Sequence, residues 1–599
     1  MAACYAVENS LVDSTTGNNY QADPTPSARG LRNLVLGIEF IMSHLTHFYV
    51  LAALDYVQGP AGAPGDPNPP QWGALPSQSG PWSPDFDDSY YLDVPGGLPG
   101  LGLPAVYTAL TRNDVSGLWW DVIRDYTIAL QLQRRATDLM GALGGRWPMF
   151  SNLVCGGVTH PNLSSADLTA IYNLAVEYLF QGKAGASDLE GGLQAGAGTL
   201  IAPERGTILH FIQHHYIPTV QVVAAVYSNY DNTNGGAKGL QTSGGSWDGA
   251  LHGGLGYGAG AGNFLSWGVF HDNAAELAGD LTQHPGHLLS SGVYLSGAGG
   301  LQPGSELGIA PVSPITLAQA CAKEFIANSK YDDGTPTYAA GLAPDQGYTK
   351  PNKANGYSWI KSPRIIGDGT MVAAGTHVCE VGPLARMVCS NLYDVTGATK
   401  YPMYAVDTNR PILKAVRDVL DTALGGALGG QTGGLSTMDR HRARALETEQ
   451  VALALPGWLG LLGGPTVNKN WAPPQSGNAS GWGTNEAPRG ALLHYIDYTD
   501  NRIEKYQCIV PTTWNASPRH GSSSGTAGPI EASIMNPAIL HSCKSSASGR
   551  AGGANQYVPV EILRVTHSFD PCIACAVHKV EGKKVKAKRL NTKKEVRRR

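Results

Sequence analysis

Apolar residues recur at intervals of three and four through 28–57, ARGLRNLVLGIEFIMSHLTHFYVLAALDYV, a spacing that predicts one long helix. The same period returns in 108–145, which closes on the pair Gly144 and Gly145, suited to a helix C-cap. It returns again in 164–183 behind a serine cap, and in 205–230, where Pro218 predicts a bend or break. Residues 58–104 are rich in Pro, Gly and Ser and read as a loop. From about 231 to 312 the chain is glycine-rich, and runs such as NFLSWGVF and SGVYLSG predict irregular structure with a few short strands. A helical pattern fills 364–450. After 487 the segments GALLHYIDYTD, RIEKYQCIVPTTW and VPVEILRV predict strands. No repeat and no strong linker interrupts this order. The expected fold class is therefore α+β, mainly helical, with one large helical core and late β elements.

Composition sharpens that picture. The chain has 599 residues, enough on length alone for about two to four domains, but the missing linker favours a single interlocked one. Only 15% of residues are charged, against a usual share of about a quarter, which predicts that a partner covers part of the surface. Residues 579–599 hold eleven Lys and Arg against Glu581 and Glu595, leaving a net charge of −13 on 1–578. An acidic body excludes a nucleic-acid-binding fold as the main function, and the basic tail reads as a solvated or removable segment. The opening MAACYAVENSLVDSTTG has no basic flank and no apolar core of a secretory signal. The most apolar run, VALALPGWLGLLGGP (451–465), is broken by Pro456 and is shorter than the roughly 18 residues that crossing a bilayer takes.

Nine cysteines, an odd number spread over a long chain, do not make a disulfide framework. Only Cys572 and Cys575, in HSFDPCIACAVHKV, have a tight spacing. Three residues apart on a helical turn, two thiols share a face and can hold one soft metal. The spacing alone leaves open a redox disulfide, half a zinc site, an iron–sulfur ligand pair or two packed free thiols. No second pair completes a zinc site, and the position near the C-terminus does not suit a thioredoxin-like motif. His214 and His215 are adjacent on a helix, about 100° apart, and make a poor ligand pair. The clusters GGLPGLG and GAGAG do not sit between a strand and a helix, so they carry no dinucleotide signature. Cys4 reads as a small buried residue.

DPCIACAVH resembles the C-terminal signature DPCxxCxxH of the large subunit of nickel–iron hydrogenases. RNLVLGIEF, SHLTHFYVLAALDYV, LGGRWPMFSNLVCGGV, HHYIPTVQVVAAVY, GNFLSWGVF, YSWIKSPR, EVGPLARM, STMDRHRARALET, EAPRGALLHYI, IVPTTWNASPR and PVEILRVTHSFDPC agree with the same family in the same order. The likeness spans essentially 1–578, read as one large-subunit domain.

That resemblance implies a buried nickel held by four thiolates, with iron bound through two of them and carrying CO and cyanide. Cys572 and Cys575 correspond to two of the four. Arg489 would stand over the open metal position and hydrogen-bond a cyanide, with Pro488 and Asp570 lining the same cavity. Thr512 matches the hydroxyl that donates to the other cyanide. His578 and the backbone carbonyl of Cys508 match ligands of a magnesium or second iron near the C-terminus. The activity implied is interconversion of H2 with protons and electrons, in the uptake direction, passing electrons to a separate iron–sulfur small subunit. A maturation protease would remove 579–599, cutting after His578 once nickel-insertion factors have acted. The partner's export signal would decide location. A membrane-associated site facing the periplasm or exterior, with a membrane cytochrome reached through the small subunit, is favoured over the cytoplasm.

Three positions depart from the family pattern. The other two nickel ligands belong to a CGxC motif, and MAACYAVENSL resembles the segment just beyond it, so the chain is expected to lack that motif by truncation. Ser43 stands where an Asp is common, and Met149 where a His is common. Two rival readings remain: a ligand-poor scaffold like the quinone-site subunit of respiratory complex I, and a C-terminal zinc or thiol module with the tail as a binding arm.

Overall fold

The computed structural model describes residues 1–13, 24–56, 112–159, 208–226, 262–271, 287–308, 312–325, 358–359, 362–393, 395, 405–406, 410, 413–418, 435–462, 471–472, 478–500, 502–517, 527–535, 560–572 and 578–579. The loop at 58–104, the helix expected at 164–183, Cys575 and the basic tail beyond Lys579 lie outside them.

A short helix, α1 (Ala2–Glu8), opens the chain and ends on a buried carboxylate, Glu8, paired with Arg32 at 2.7 Å. Helix α2 (Pro26–Thr46) starts on a Thr25 cap, with proline in its first turn where a missing N–H costs nothing. It continues unbroken through a π-helical turn, His47–Ala52, and a 3-10 turn, Ala53–Asp55, as the apolar period predicts. This continuous stretch is long and apolar enough to cross a membrane, yet most of it is buried here against α3 (Arg112–Gly144) and α6 (Thr437–Gly460). A Cβ on Gly37 would lie 2.7 Å from the Trp458 ring, so glycine is what lets α2 and α6 approach so closely. Helix α3 ends before Gly145, whose φ of +80° terminates it as expected.

Of the bend or break expected at Pro218, no break is present. Ile208–Phe211 runs through a π turn, Ile212–Tyr216, into α4 (Ile217–Val226). A π turn just ahead of the ring absorbs the proline that an uninterrupted α-helix would not accept.

Five strand assignments need correction. The glycine-rich region holds two antiparallel nine-residue strands, β1 (Asn263–His271) and β2 (His287–Leu295), in place of short ones. Its strands lie between two cores: Phe264 and Phe270 face the helical core, while Leu265 and Trp267 face a second core with Trp482, Leu493 and Trp514. The region from 364 opens with strands Ser362–Gly367 and Gly375–His377 before helix α5 (Pro383–Cys389). NASGWGTNEA, poor in β-formers, is strand β3 (Asn478–Ala487), paired along its length with β4 (Gly490–Thr499), which in turn pairs with β5 (Arg502–Ile509). The predicted strand RIEKYQCIVPTTW stops at Ile509, and its PTTW end is helix α7 (Pro511–Asn515); after α8 (Pro529–Met535), the predicted strand VPVEILRV is helix α9 (Val560–Ser568). Its buried positions include Arg564 and Ser568, so counting apolar residues misreads it; Arg564 Nη2 donates to the Asp55 carbonyl at 2.8 Å. Cys4 is half-buried, not buried.

Helix α6 is the spine of the site. Ser436 and Asp439 form a reciprocal capping box at its start. Its interior carries Arg440, His441, Arg442, Arg444, Glu447 and Glu449, all buried. Such charge is tolerated inside a protein only when it is paired. Arg440 pairs with Glu380 at 2.9 Å, Arg442 with Asp439 at 2.7 Å, and Glu449 accepts from Gln213 at 2.7 Å.

Candidate metal centre

Two tight turns are brought together in the interior. The first is the two-residue hairpin turn Pro488–Arg489 between β3 and β4. Pro488 has no N–H to contribute, and the turn is fixed from outside the hairpin. Buried Arg386 on α5 donates to the carbonyls of Ala487 at 2.9 Å and Pro488 at 2.8 Å. Its other N–H groups go to carboxylates: Nε and Nη2 to Glu447 at 2.5 and 2.8 Å, and Nη1 to Glu486 at 2.8 Å. His44 Nε2 donates to Glu447 at 2.8 Å, and Glu486 accepts the Trp267 backbone N–H at 2.7 Å. Burial would raise the Glu447 carboxyl, but the Arg386 guanidinium and the His44 contact hold it down at about 2. Burial wins at Glu486, pushing it up to about 7 against the pull of the same guanidinium.

The turn also depends on Gly490, at φ +131°. A Cβ there would lie 2.7 Å from both the Gly382 nitrogen and Val381 Cγ2. Gly490→Ala is therefore expected to cost about 1–3 kcal/mol of stability and to displace the turn. Denaturant unfolding alongside turnover measures both effects.

The second turn follows α9 and carries Asp570, Pro571 and Cys572. Asp570 adopts φ +52°, a left-handed conformation that costs a non-glycine residue about 1–2 kcal/mol. Contacts from four directions hold it. His47 Nε2 donates to the His567 carbonyl at 2.6 Å, Arg444 donates to the Ser568 carbonyl at 2.8 Å, and the Arg440 guanidinium lies 3.7 Å over the Phe569 ring. The Cys572 backbone N–H donates to Thr512 Oγ1 at 3.0 Å. Since a carbonyl only accepts, His47 carries its proton on Nε2; burial, reinforced by Arg444, holds its pKa well below the usual histidine range.

Arg489 and Asp570 bridge the two turns, Nη2 to Oδ1 at 3.0 Å, with Asp570 buried and Arg489 38% exposed. Arg489 Nε and Asp570 Oδ2 are both buried and hydrogen-bond to nothing among the described residues. A donor and an acceptor left unsatisfied together, two residues from a cysteine, leave room for a polar ligand's bonds.

Of the residues singled out in the sequence, Arg489, Asp570, Pro488, Thr512 and Cys572 converge here. Cys575 lies outside the described residues. Cys508 is half-buried on β5, in register with His494 on β4. His578 lies on a two-residue strand, His578–Lys579, antiparallel to Ser358–Trp359. His215 is buried against Asp125 at 2.9 Å while His214 contacts the Ala405 carbonyl, so the pair does not converge on one ion. The residues missed were Arg386, Glu447, Glu486, His47 and Arg444. Each lies on or beside a recognised motif, and the excess of charge in apolar segments was the available signal.

No three His, Cys, Asp or Glu among the described residues form a metal cluster by themselves. The chemistry nonetheless fits a thiolate-held metal. Cys572 has its amide anchored, and the free Nε–H of Arg489 suits an anionic ligand on such a centre. Cys572 is disulfide-bonded in this structure, and ligation requires its reduced form.

Fold and site thus define a protein whose candidate metal centre is built around a C-terminal cysteine turn. The nickel-dependent hydrogenases match this chain over residues 252–578, and the chain belongs to that family. The large subunit of a periplasmic [NiFeSe] hydrogenase from Desulfomicrobium baculatum is 27% identical, over 92% of this chain and 79% of that protein. An uptake hydrogenase large subunit from Cupriavidus necator is 28% identical, over 96% of this chain and 84% of its own length. Among solved structures, a reduced, active form of the Ni-Fe-Se hydrogenase from D. baculatum superposes with a TM-score of 0.59 at 25% identity, covering 96% of this chain and 86% of that one. The protein is a hydrogenase large subunit, mixed helix and sheet, and its enzyme class is nickel-dependent.

Proposed function

We propose that this chain is the catalytic subunit of an uptake hydrogenase, oxidising H2 to two protons and passing two electrons to an iron–sulfur small subunit. The observation that carries this reading is the Arg489–Asp570 pair, with one unsatisfied donor and one unsatisfied acceptor, beside Cys572. Cys572 and Cys575 would hold nickel, with an iron carrying CO and cyanide beside it; this pair of metals would supply the Lewis acidity and redox capacity for splitting H2.

The chain's own residues then have distinct tasks. Arg489 presents its guanidinium to the open side and stabilises developing negative charge through the free Nε–H. Asp570 fixes that guanidinium through Oδ1. Thr512 receives the Cys572 amide, which leaves its hydroxyl proton to point at a bound anion, as a cyanide donor must. A thiolate of Cys572 or Cys575 takes the departing proton. His578 and the Cys508 carbonyl would bind magnesium or a second iron, and maturation would end the chain at His578. The small subunit's export signal would place the complex at a membrane, on the periplasmic or outer side, consistent with the uptake and periplasmic names of the relatives.

The test uses the complex purified with its small subunit. Nickel bound at the large subunit and H2-dependent reduction of a viologen dye are expected, with both lost in Cys572→Ser. Zinc in place of nickel, or a nickel-loaded complex inert to H2, would count against the proposal.

A further inference from the structure

We infer that Arg386 is a positioning residue for Arg489: its planar guanidinium, clamped by two carboxylates, holds the two carbonyls that set the hairpin turn from which Arg489 projects. The inference rests on the catalytic reading of Arg489 given above.

Arg386 uses all of its N–H donors. Three go to Glu447 and Glu486, and the remaining two go to the carbonyls of Ala487 and Pro488. The carboxylates fix the guanidinium in plane, and the Phe40 ring lies 4.9 Å from it. Glu447 is in turn fixed by His44 from α2, and Glu486 by the Trp267 amide from β1. Four elements, α2, α6, β1 and β3, therefore converge on the orientation of one planar group. That group addresses the two residues on the N-terminal side of Arg489, while Gly490 on the other side is pressed against Gly382. An arginine needed only to neutralise Glu447 and Glu486 would not require a bond to either carbonyl. A lysine cannot reproduce the arrangement, because its three donors radiate from one nitrogen and lack the fork.

The test is a double-mutant cycle on the nickel-loaded complex. Arg386→Lys is expected to lower kcat by about 10–100-fold with little change in KM for H2, the scale of an active group displaced by about 1 Å. In an Arg489→Lys background the same substitution should cost no more than about twofold, because the group it positions is gone. Hydrogen–deuterium exchange, read by mass spectrometry, should show faster exchange at the amides of 487–492 in Arg386→Lys but not in Arg489→Lys. Glu486→Gln, which leaves the Arg386–Glu447 bonds intact, repeats the cycle with a smaller effect should Arg386→Lys not accumulate nickel. Equal costs in both backgrounds, or unchanged exchange at 487–492, would overturn the positioning role. So would failure of both variants to yield nickel-loaded protein, which would make the clamp a folding element. If Arg489→Lys alone retains full turnover, the catalytic reading of Arg489 fails, and the positioning role falls with it; the exchange measurement still reports whether the clamp holds the turn.

Discussion

Arg489→Lys is expected to lower hydrogen turnover by roughly 10²–10³-fold, the usual cost of removing one preorganised donor from a reacting centre, while nickel content stays at the wild-type level. The expectation follows from how the guanidinium is used. Nη2 is committed to Asp570 Oδ1, and Nε is buried with no partner among the described residues, so one donor anchors while another is left for the reaction. A lysine placed to reach Asp570 has no second, rigidly held donor aimed elsewhere. Its positive charge is retained, so the metals should still assemble and the loss should fall on kcat. Stability should change little, because a pair with one partner more than a third exposed is largely screened by solvent. Metal analysis, thermal melting and H2-dependent dye reduction on one preparation separate these effects. A variant that keeps nickel, melts normally and still turns over at full rate would remove Arg489 from the mechanism.

The sequence made the long elements and the chemistry of the C-terminal turn legible. Residues 26–55 form one helix because apolar positions keep a three-and-four spacing throughout, and DPCIACAVH marks its turn by residue type. The elements that were misread share a cause. Helix α9 buries Arg564 and Ser568, and half of β3 is Gly, Asn and Ser, so neither presents the apolar pattern from which strands and helices are inferred. Their conformation is decided by partners distant in sequence, such as the Asp55 carbonyl for Arg564, and by the whole length of β4 for β3. The same holds for the machinery behind the site. EVGPLARM, STMDRHRARALET and EAPRG were each visible as motifs. That one arginine of the first joins a glutamate of the second to the turn of the third depends on contacts spanning 61 and 102 positions. Local reading assigns charges on a helix to a solvated face, and α6 inverts that rule because Arg440, Arg444, Glu447 and Glu449 are buried and each meets a partner from another element.

The deepest of those partnerships supplies the second large effect. Glu447→Ala is expected to destabilise the subunit by about 3–5 kcal/mol, the range for breaking a buried ion pair from one side. Arg386 would keep its charge in the core with two N–H groups unmatched, and His44 Nε2 would lose its acceptor. Glu447→Gln should fall between wild type and alanine, since it preserves shape and one acceptor but removes the charge. The pH dependence gives a sharper check. A carboxyl whose folded-state pKa lies near 2, below its unfolded value of 4.5, contributes stability that is fully present above about pH 4.5 and is lost as pH falls toward 2. For a shift of that size the contribution is about 3 kcal/mol. Glu486 has the opposite sign. Its raised pKa, near 7, makes its burial neutral below about pH 4.5 and increasingly costly as pH rises toward 7. Of these two carboxyls, Glu447 acts on the acid side of the stability curve and Glu486 on the neutral side. Melting temperatures at pH 7 and pH 3.5 should differ less in Glu447→Gln than in the wild type. An undiminished acid loss in that variant would show that the buried carboxylate clamped by Arg386 and His44 is not what ties this fold to its ionised state.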